Sequence, residues 1–393
     1  MPDDNTRPEV GSTNGITPAY TTGTERGSGY VVDPLDHNPQ LRFPDSVAVY
    51  DQMRRTDAQV GANLRAMNQT IHSFDWQLIG AADVPPAIVE FIRAEIGLVP
   101  ADDARRRRRR EGIVWAEHLR EALMCLPLGF SVFEQVYNYS ATDGLNHLRK
   151  LAVRPATTIE QINVGRDGGL EGIVQTPPVM KPGEPLVTEG PFIPVGNLVW
   201  YALDREGADW TGVSVLRTAY KAWFIKEKIE RLSAQGARRA TTGAHTAQVG
   251  DSVSEAERLK LSRALAAYSA GETAHLIYPE GVRLDPDASK VSMGDLLNLV
   301  KHFDQQISKS MMAMFLDLGH DNGARSLGEV HLKAFKTSCH SVAEHIAEVF
   351  TEHVIRDLVE LNYGPDAPYP VLTPGPLPED ETPQDDPAPA NES

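Results

Sequence analysis

Cysteine is nearly missing from this chain: Cys125 and Cys339 are the only two in 393 residues. They stand far apart and without metal-ligand spacing, which excludes a disulfide framework and a zinc site and points to folding in a reducing compartment. Long apolar runs are missing as well. No stretch of about 18 apolar residues occurs, so no membrane-spanning helix is encoded, and "MPDDNTRPEVGSTNGITPAYTTGTERGSG" lacks the apolar core of an export signal. The expectation is a soluble protein without an export address and without a membrane partner. Positive charge is scarce: 38 Lys and Arg against 54 Asp and Glu leave a formal net charge of −16. That balance excludes a protein that coats DNA over its whole surface, because such binding depends on Lys and Arg displacing phosphate counterions. Contact with DNA has to be local or weak.

The signatures of catalysis are short as well. No Gly-x-x-x-x-Gly-Lys-Ser/Thr phosphate loop is spelled, which argues against an ATP-driven motor. "GRDGGLEG" (165–172) lacks the strand, Gly-x-Gly-x-x-Gly and helix context of a dinucleotide site and reads as a hairpin turn. "GFSVF" and "TGVSVL" each hold a serine near a glycine but break the Gly-x-Ser-x-Gly elbow of a serine nucleophile. His340, Glu344, Glu348 and Glu352 fall one helical turn apart, with His345 and His353 alongside. Neither His-Glu-x-x-His nor Glu-x-x-His is spelled, and the stripe reads as a solvated helix face. The expectation is no catalytic residue, no metal site and no cofactor.

What is present comes in blocks. Residues 1–45 are rich in Gly, Thr, Pro and Asp and read as a flexible arm. Residues 364–393 hold nine prolines, seven acidic residues and no basic one, so 363–393 reads as a disordered tail. Between them, "SVAVYDQMRRTDAQVGANLRAMNQTI" carries apolar residues at helical spacings, followed by a strand-like "FDWQLIG". A helix over 113–128 is expected to stop at Gly129. The strand candidates "FSVFEQVYNY", "LNHLRKLAV", "ATTIEQINV", "GLEGIVQ" and "FIPVGNLVWYAL" then complete an α+β block.

Helices dominate afterwards. A long one is expected from Ser214 to Arg239, carrying Tyr220, Lys221, Trp223 and Phe224. Ser254 and Glu257 spell a capping box, and "TAHLIYPEGVRLDP" reads as a short strand pair. Met293, Leu296, Val300, Phe303, Ile307 and Met314 recur at alternating spacings of three and four, a narrow seam for helix-to-helix packing. After "LDLGHDNGARS", Ser326 and Glu329 spell a second capping box before a helix reaching about Asn362.

One feature opposes the overall charge. "DDARRRRRREG" places Arg105, Arg106, Arg107, Arg108, Arg109 and Arg110 in one run. Six in a row cannot share one helix face, so most are solvated. The run is either an exposed polybasic loop or helix end, or a contact for a polyanion such as DNA or an acidic protein segment.

Taken in order, "YDQMRRTDAQVGANLRAMNQTIHSFDWQL", "LPLGFSVFEQVY", "RPATTIEQINVGRDGGLEGIVQ", "IPVGNLVWYALDREGADWTGVSVLRTAYKAWFIKEK", "ISKSMMAMFLD" and "SLGEVHLKAF…IRDLVELNYG" resemble the portal proteins of tailed bacteriophages, especially those of Mu-type and actinobacterial phages. The resemblance implies an α+β fold with portal-type architecture. It makes 46–213 a wing, 214–239 and 292–316 two stem helices, 240–291 a small clip, 317–326 a tunnel loop, and 327–362 a long helix returning to the wing or crown. It implies a homo-oligomeric ring, usually of twelve subunits, set at one capsid vertex for packaging and ejecting double-stranded DNA. The tunnel loop, with Asp317, Gly319, His320, Asp321, Asn322, Gly323 and Arg325, would line the DNA channel. The seam would pack subunit on subunit, and the arginine run would be a peripheral polybasic patch. Implied partners are the terminase large subunit, the major capsid and scaffold proteins, and head–tail adaptor proteins. The implied location is the virion, with the host cytoplasm during assembly. The competing readings are a capsid-associated adaptor or head-morphogenesis protein that does not enclose DNA, and a DNA-processing enzyme subunit.

Overall fold

Asp57 makes the first break in the chain. Its carboxylate accepts the Val60 backbone N–H at 3.0 Å, an N-cap that ends α1 (Asp45–Thr56) and starts α2 (Ala58–His72). The stretch expected as one periodic segment is therefore two helices. The computed structural model describes residues 38–98, 112–177, 190–242, 246–250, 253–268, 276–279, 293–314 and 325–377. Outside these lie the arginine run, most of the expected tunnel loop, much of the expected clip, and the outer parts of the arm and tail.

The chain divides into two compact units, residues 1–217 with 310–393, and residues 218–309. The first continues with β1 (Gln77–Ile79), α3 (Pro86–Glu95), α4 (Trp115–Ala122) and α5 (Cys125–Leu128). No sequence signal was assigned to α3, which Pro86 opens from the first turn, where its missing N–H costs nothing. The helix expected over 113–128 is interrupted at Leu123 and Met124 and stops before Gly129, whose φ is +89°.

Seven strands of this first unit build two three-stranded antiparallel sheets and half of a ribbon. They are β1 with β2 (Phe130–Ser140), β3 (Leu145–Arg154), β4 (Ile159–Val164), β5 (Leu170–Gln175), β6 (Phe192–Pro194) and β7 (Leu198–Ala202). The sheet orders are β3-β2-β7 and β4-β5-β6. "GRDGGLEG" is the β4–β5 hairpin turn, closed by Gly165 N–H to the Gly169 carbonyl at 2.8 Å.

The period-two alternation of β2 and β7 sorts their side chains between two cores. Phe130, Val132, Leu198 and Trp200 join Ile159, Ile162 and Ile173 of the second sheet, with Phe130 stacked on Trp200 at 5.2 Å. Phe133 and Tyr201 point the other way and meet His118 of α4.

The second unit holds α6 (Tyr220–Thr242), β8 (Thr246–Val249), α7 (Glu255–Tyr268), β9 (Leu276–Pro279) and α8 (Met293–Ser310). Here α6 starts six residues later than expected, after a run of turns. The reciprocal capping box of α7 is present: Glu257 N–H donates to Ser254 Oγ at 3.4 Å and Ser254 N–H to the Glu257 carboxylate at 3.0 Å. Of "TAHLIYPEGVRLDP", the described residues hold one strand, Leu276–Pro279, which pairs in parallel with β8; the second expected strand lies outside the described residues.

The chain then returns to the first unit as α9 (Arg325–Phe350), a π-helical turn over Thr351–Ile355, α10 (Arg356–Tyr363) and β10 (Val371–Thr373). Ser326 lies inside the first turn of α9 and not ahead of it. The tail expected to be disordered from residue 363 is ordered at least to Leu377. β10 pairs antiparallel with β1, Leu372 is buried, and its N–H donates to Thr351 Oγ at 3.1 Å. Nine prolines lowered the expected order, yet three residues between them carry a complete strand pairing.

Candidate ring and channel elements

All of the expected stem residues except Met314 fall on two helices of the second unit, α6 and α8. On α6, Tyr220 and Trp223 are buried, while Phe224 is partly exposed beside Tyr220, with ring centroids 5.8 Å apart. Lys221 is exposed, and Lys228 sits 3.9 Å over the Phe224 ring, a cation–π contact. Lys226 is 5% exposed and reaches Asp304 of α8 at 2.6 Å, which ties the two helices together. Nothing in the sequence separated Lys226 from its solvated neighbours. Its position four residues before Glu230 on a helix otherwise rich in exposed charge concealed the burial.

The seam on α8 divides. Leu296, Val300 and Phe303 are half-buried. Ile307 has no exposure and is packed inside its own chain. α8 ends at Ser310 and Met312 has φ +55°, so Met314 lies beyond the helix and cannot continue its heptad. The side chain of Met293 lies outside the described residues. Apolar side chains that do face water are elsewhere: Leu232 on α6 is 60% exposed, Leu259 on α7 53%, Leu297 and Leu299 on α8 54% and 43%.

Of the expected channel residues, Asp317, Gly319, His320, Asp321, Asn322 and Gly323 lie outside the described residues. Arg325 is the first residue of α9. Arg105 to Arg110 also lie outside them; the described chain resumes at Gly112, whose N–H donates to the Arg149 carbonyl.

The residues weighed as catalytic have structural work. Ser131 Oγ donates to the Ala122 carbonyl and Ser214 Oγ to the Pro127 carbonyl, both at 2.7 Å and buried. His340 Nε2 lies 2.7 Å from the Gly375 carbonyl, Glu344 is 3.5 Å from its other nitrogen, and Glu352 pairs with Arg356. Among the described residues no three His, Cys, Asp or Glu side chains gather as a metal site would need. Burial pushes the Cys125 and Cys339 thiols up to about 12, which removes their nucleophilic thiolate at neutral pH. His118 is buried by Phe133, Trp115 and Phe350 and lies 2.8 Å from the Tyr201 hydroxyl; burial lowers its pKa to about 3.

Two glycines explain why separate quoted motifs belong together. Gly129 of "LPLGFSVF" and Gly212 of "WTGVSVL" cross back to back, with φ +89° and +61°. A Cβ on Gly129 would stand 2.5 Å from the Thr211 carbonyl oxygen, and one on Gly212 2.5 Å from that of Gly129. Only glycine permits both the left-handed backbone and this approach.

The fold is therefore α+β: the first unit combines both three-stranded sheets with helices, and the second is mainly helical. The family profile described as the portal protein of Mu bacteriophage matches residues 47–388, and the chain belongs to that family. Similar solved structures include the virion of a native gene transfer agent particle, with 12% identity, 87% of this chain and 86% of that chain covered, and a TM-score of 0.48. The neck of a native gene transfer agent particle, computed with C12 symmetry, gives 12% identity, 86% of each chain and 0.48. An HK97-family phage portal protein from Corynebacterium diphtheriae gives 11% identity, 82% of this chain and 94% of that chain, and 0.44. No curated protein matches the sequence.

Proposed function

We propose that this portal-family chain closes into a homo-oligomeric ring of twelve subunits at one capsid vertex, through which double-stranded DNA is packaged and ejected. In this reading residues 46–213 form the wing, α6 and α8 the stem, 240–291 the clip and 317–326 the tunnel loop. The ring is a conduit and not an enzyme, and the terminase large subunit docks on it to supply ATP hydrolysis. Major capsid and scaffold proteins surround it during assembly in the host cytoplasm, and head–tail adaptor proteins follow in the virion.

Beyond family membership, one observation carries the reading: three helices of the second unit leave leucines in water. Leu232, Leu259, Leu297 and Leu299 are each at least 43% exposed in the single subunit. Packing one copy on the next buries such side chains, and a heterologous contact whose rotation closes makes a ring. The ring contact is accordingly assigned to these leucines with the half-buried Leu296, Val300 and Phe303, and no longer to Ile307. The DNA contact is assigned to the mixed-charge loop, because a conduit needs backbone contact without base readout.

Native mass spectrometry and negative-stain microscopy of the purified chain, alone and with capsid and scaffold proteins, test this. Rings are expected in at least one condition. Monomers or dimers in every condition would overturn the reading. Leu297→Arg with Leu299→Arg is expected to leave a folded subunit that forms no ring.

A further inference from the structure

A groove of about 670 Å³ runs along α2 against α4 and α5 in the first unit. Arg54, Arg65, His72 and Arg120 line it, with Asn68 and Gln69 between them, and no carboxylate contributes to its wall. Arg54 is partly neutralised by Asp51 at 2.5 Å, which also binds Arg55. No carboxylate among the described residues lies within ion-pair distance of Arg65 or Arg120. Two buried polar atoms, Asn68 Oδ1 and His72 Nε2, have no hydrogen-bond partner there. Burial and the Arg120 charge both lower the His72 pKa, a sign that the groove is positive without it. Buried polar groups without partners are uncommon and ask for a ligand or water.

The chain itself leads to this groove. The β1–β10 register pairs Gln77 with Thr373 antiparallel, and a Cβ on Gly375 would stand 2.8 Å from the Asp75 carbonyl oxygen. Gly375 therefore lies beside Asp75, three residues after His72 of the groove wall, and Leu377 follows two residues later. The following residues, 378–393, contain six carboxylates and no Lys or Arg. From His72 back to Gly61 the groove follows α2 for about 17 Å at ~1.5 Å per residue. Residues 378–393 reach up to about 50 Å when extended. Glu379, Asp380 and Glu381 follow Gly375 by four to six residues and Asp385 and Asp386 by ten and eleven, spans of up to about 20 Å and about 35 Å of extended chain, which together cover the length of the groove.

We propose that this basic groove is the docking site of the chain's own acidic tail, residues 378–393. The tail neutralises the groove and keeps phosphates away from it, which leaves the subunit without a second site for DNA.

A fluorescent peptide of residues 378–393 tests this by anisotropy, titrated with the full chain and with a full-length variant in which Glu379, Asp380, Glu381, Asp385, Asp386 and Glu392 become Gln or Asn. The variant, its groove vacated, is expected to bind the peptide at least about tenfold more tightly than the unaltered chain, and less tightly as salt rises. Adding Arg65→Glu and Arg120→Glu is expected to remove that gain. Should the reversals prevent folding, Arg65→Gln and Arg120→Gln, both at exposed positions, are expected to act in the same direction. Equal binding by variant and unaltered chain overturns the proposal. So does a gain that survives the Arg65 and Arg120 changes, or one lost only when Arg105 to Arg110 become Gln, which would make that run the tail's partner. Capture of a DNA duplex of about 20 base pairs by the groove, with no competition from the peptide, would assign it to phosphates instead.

Discussion

His118 shows what burial does to one titratable group. Its imidazole stays neutral in the fold down to about pH 3, while in the unfolded chain it takes a proton below pH 6.5. The unfolded state therefore binds the extra proton between those values, and stability falls as pH drops from 6.5 toward 3. At pH 5 the loss is about 2 kcal/mol. His147 runs the opposite way. Burial pulls its pKa down, but hydrogen bonds and charges from Glu95 and Asp143 outweigh that and leave it raised. Its contribution is present below pH 6.5 and lost as pH rises. His118→Gln keeps a partner for Tyr201 and removes the titration. The drop in unfolding temperature between pH 7 and pH 5 is expected to shrink in that variant, as thermal scans at the two pH values would record. The glycine crossing supplies a second expectation at this scale. Gly212→Ala forces a Cβ into backbone at a left-handed φ and is expected to cost roughly 2 kcal/mol or more, read from denaturant midpoints.

Among the elements, α6 and α8 are joined by an ion pair whose ammonium is almost fully buried. Removing Asp304 takes away its 2.6 Å partner and leaves Glu230 at 4.0 Å. Asp304→Ala is expected to destabilise the chain by about 2 to 3 kcal/mol, below the fully buried range because Asp304 retains some solvent. Adding Lys226→Met is expected to restore most of the loss, and a double-mutant cycle in urea would show the coupling. The heptad reading of α8 placed its start within a residue, at Met293, but ran six residues past its end at Ser310. A spacing of three and four marks one apolar face, but the same face meets its own chain at Ile307 and is half-open at Leu296, Val300 and Phe303. Leu297 and Leu299 stood outside the heptad count and are the more exposed. The long last helix was also legible, but its π-helical turn was not, since no residue type marks the place where Thr351 Oγ accepts the Leu372 N–H.

At the scale of the whole molecule, the exposed leucines and the segment between Met314 and Arg325 make separate expectations. Phe303→Asp brings a charge to a half-buried seam and is expected to abolish ring closure, seen by native mass spectrometry. Shortening residues 319–323 is expected to leave rings intact and to lower DNA packaging or retention, measured as nuclease-protected DNA per particle. Loss of rings in the shortened chain would assign the loop to assembly instead of the channel.

The sequence by itself determined the local grammar: the capping box at Ser254, the hairpin at Gly165 to Gly172, the stop at Gly129, the period-two strands and the family. These follow from interactions within a few residues or from period, which the order of residues spells directly. Only the tertiary structure decided which of many similar side chains are buried. It paired Lys226 with Asp304, set Gly129 against Gly212, drew β10 out of a proline-rich tail onto β1, and aligned Arg65 and Arg120 along one groove. Each of these joins residues distant in the chain, and their energy comes from desolvation and close packing that exist only after the chain has folded.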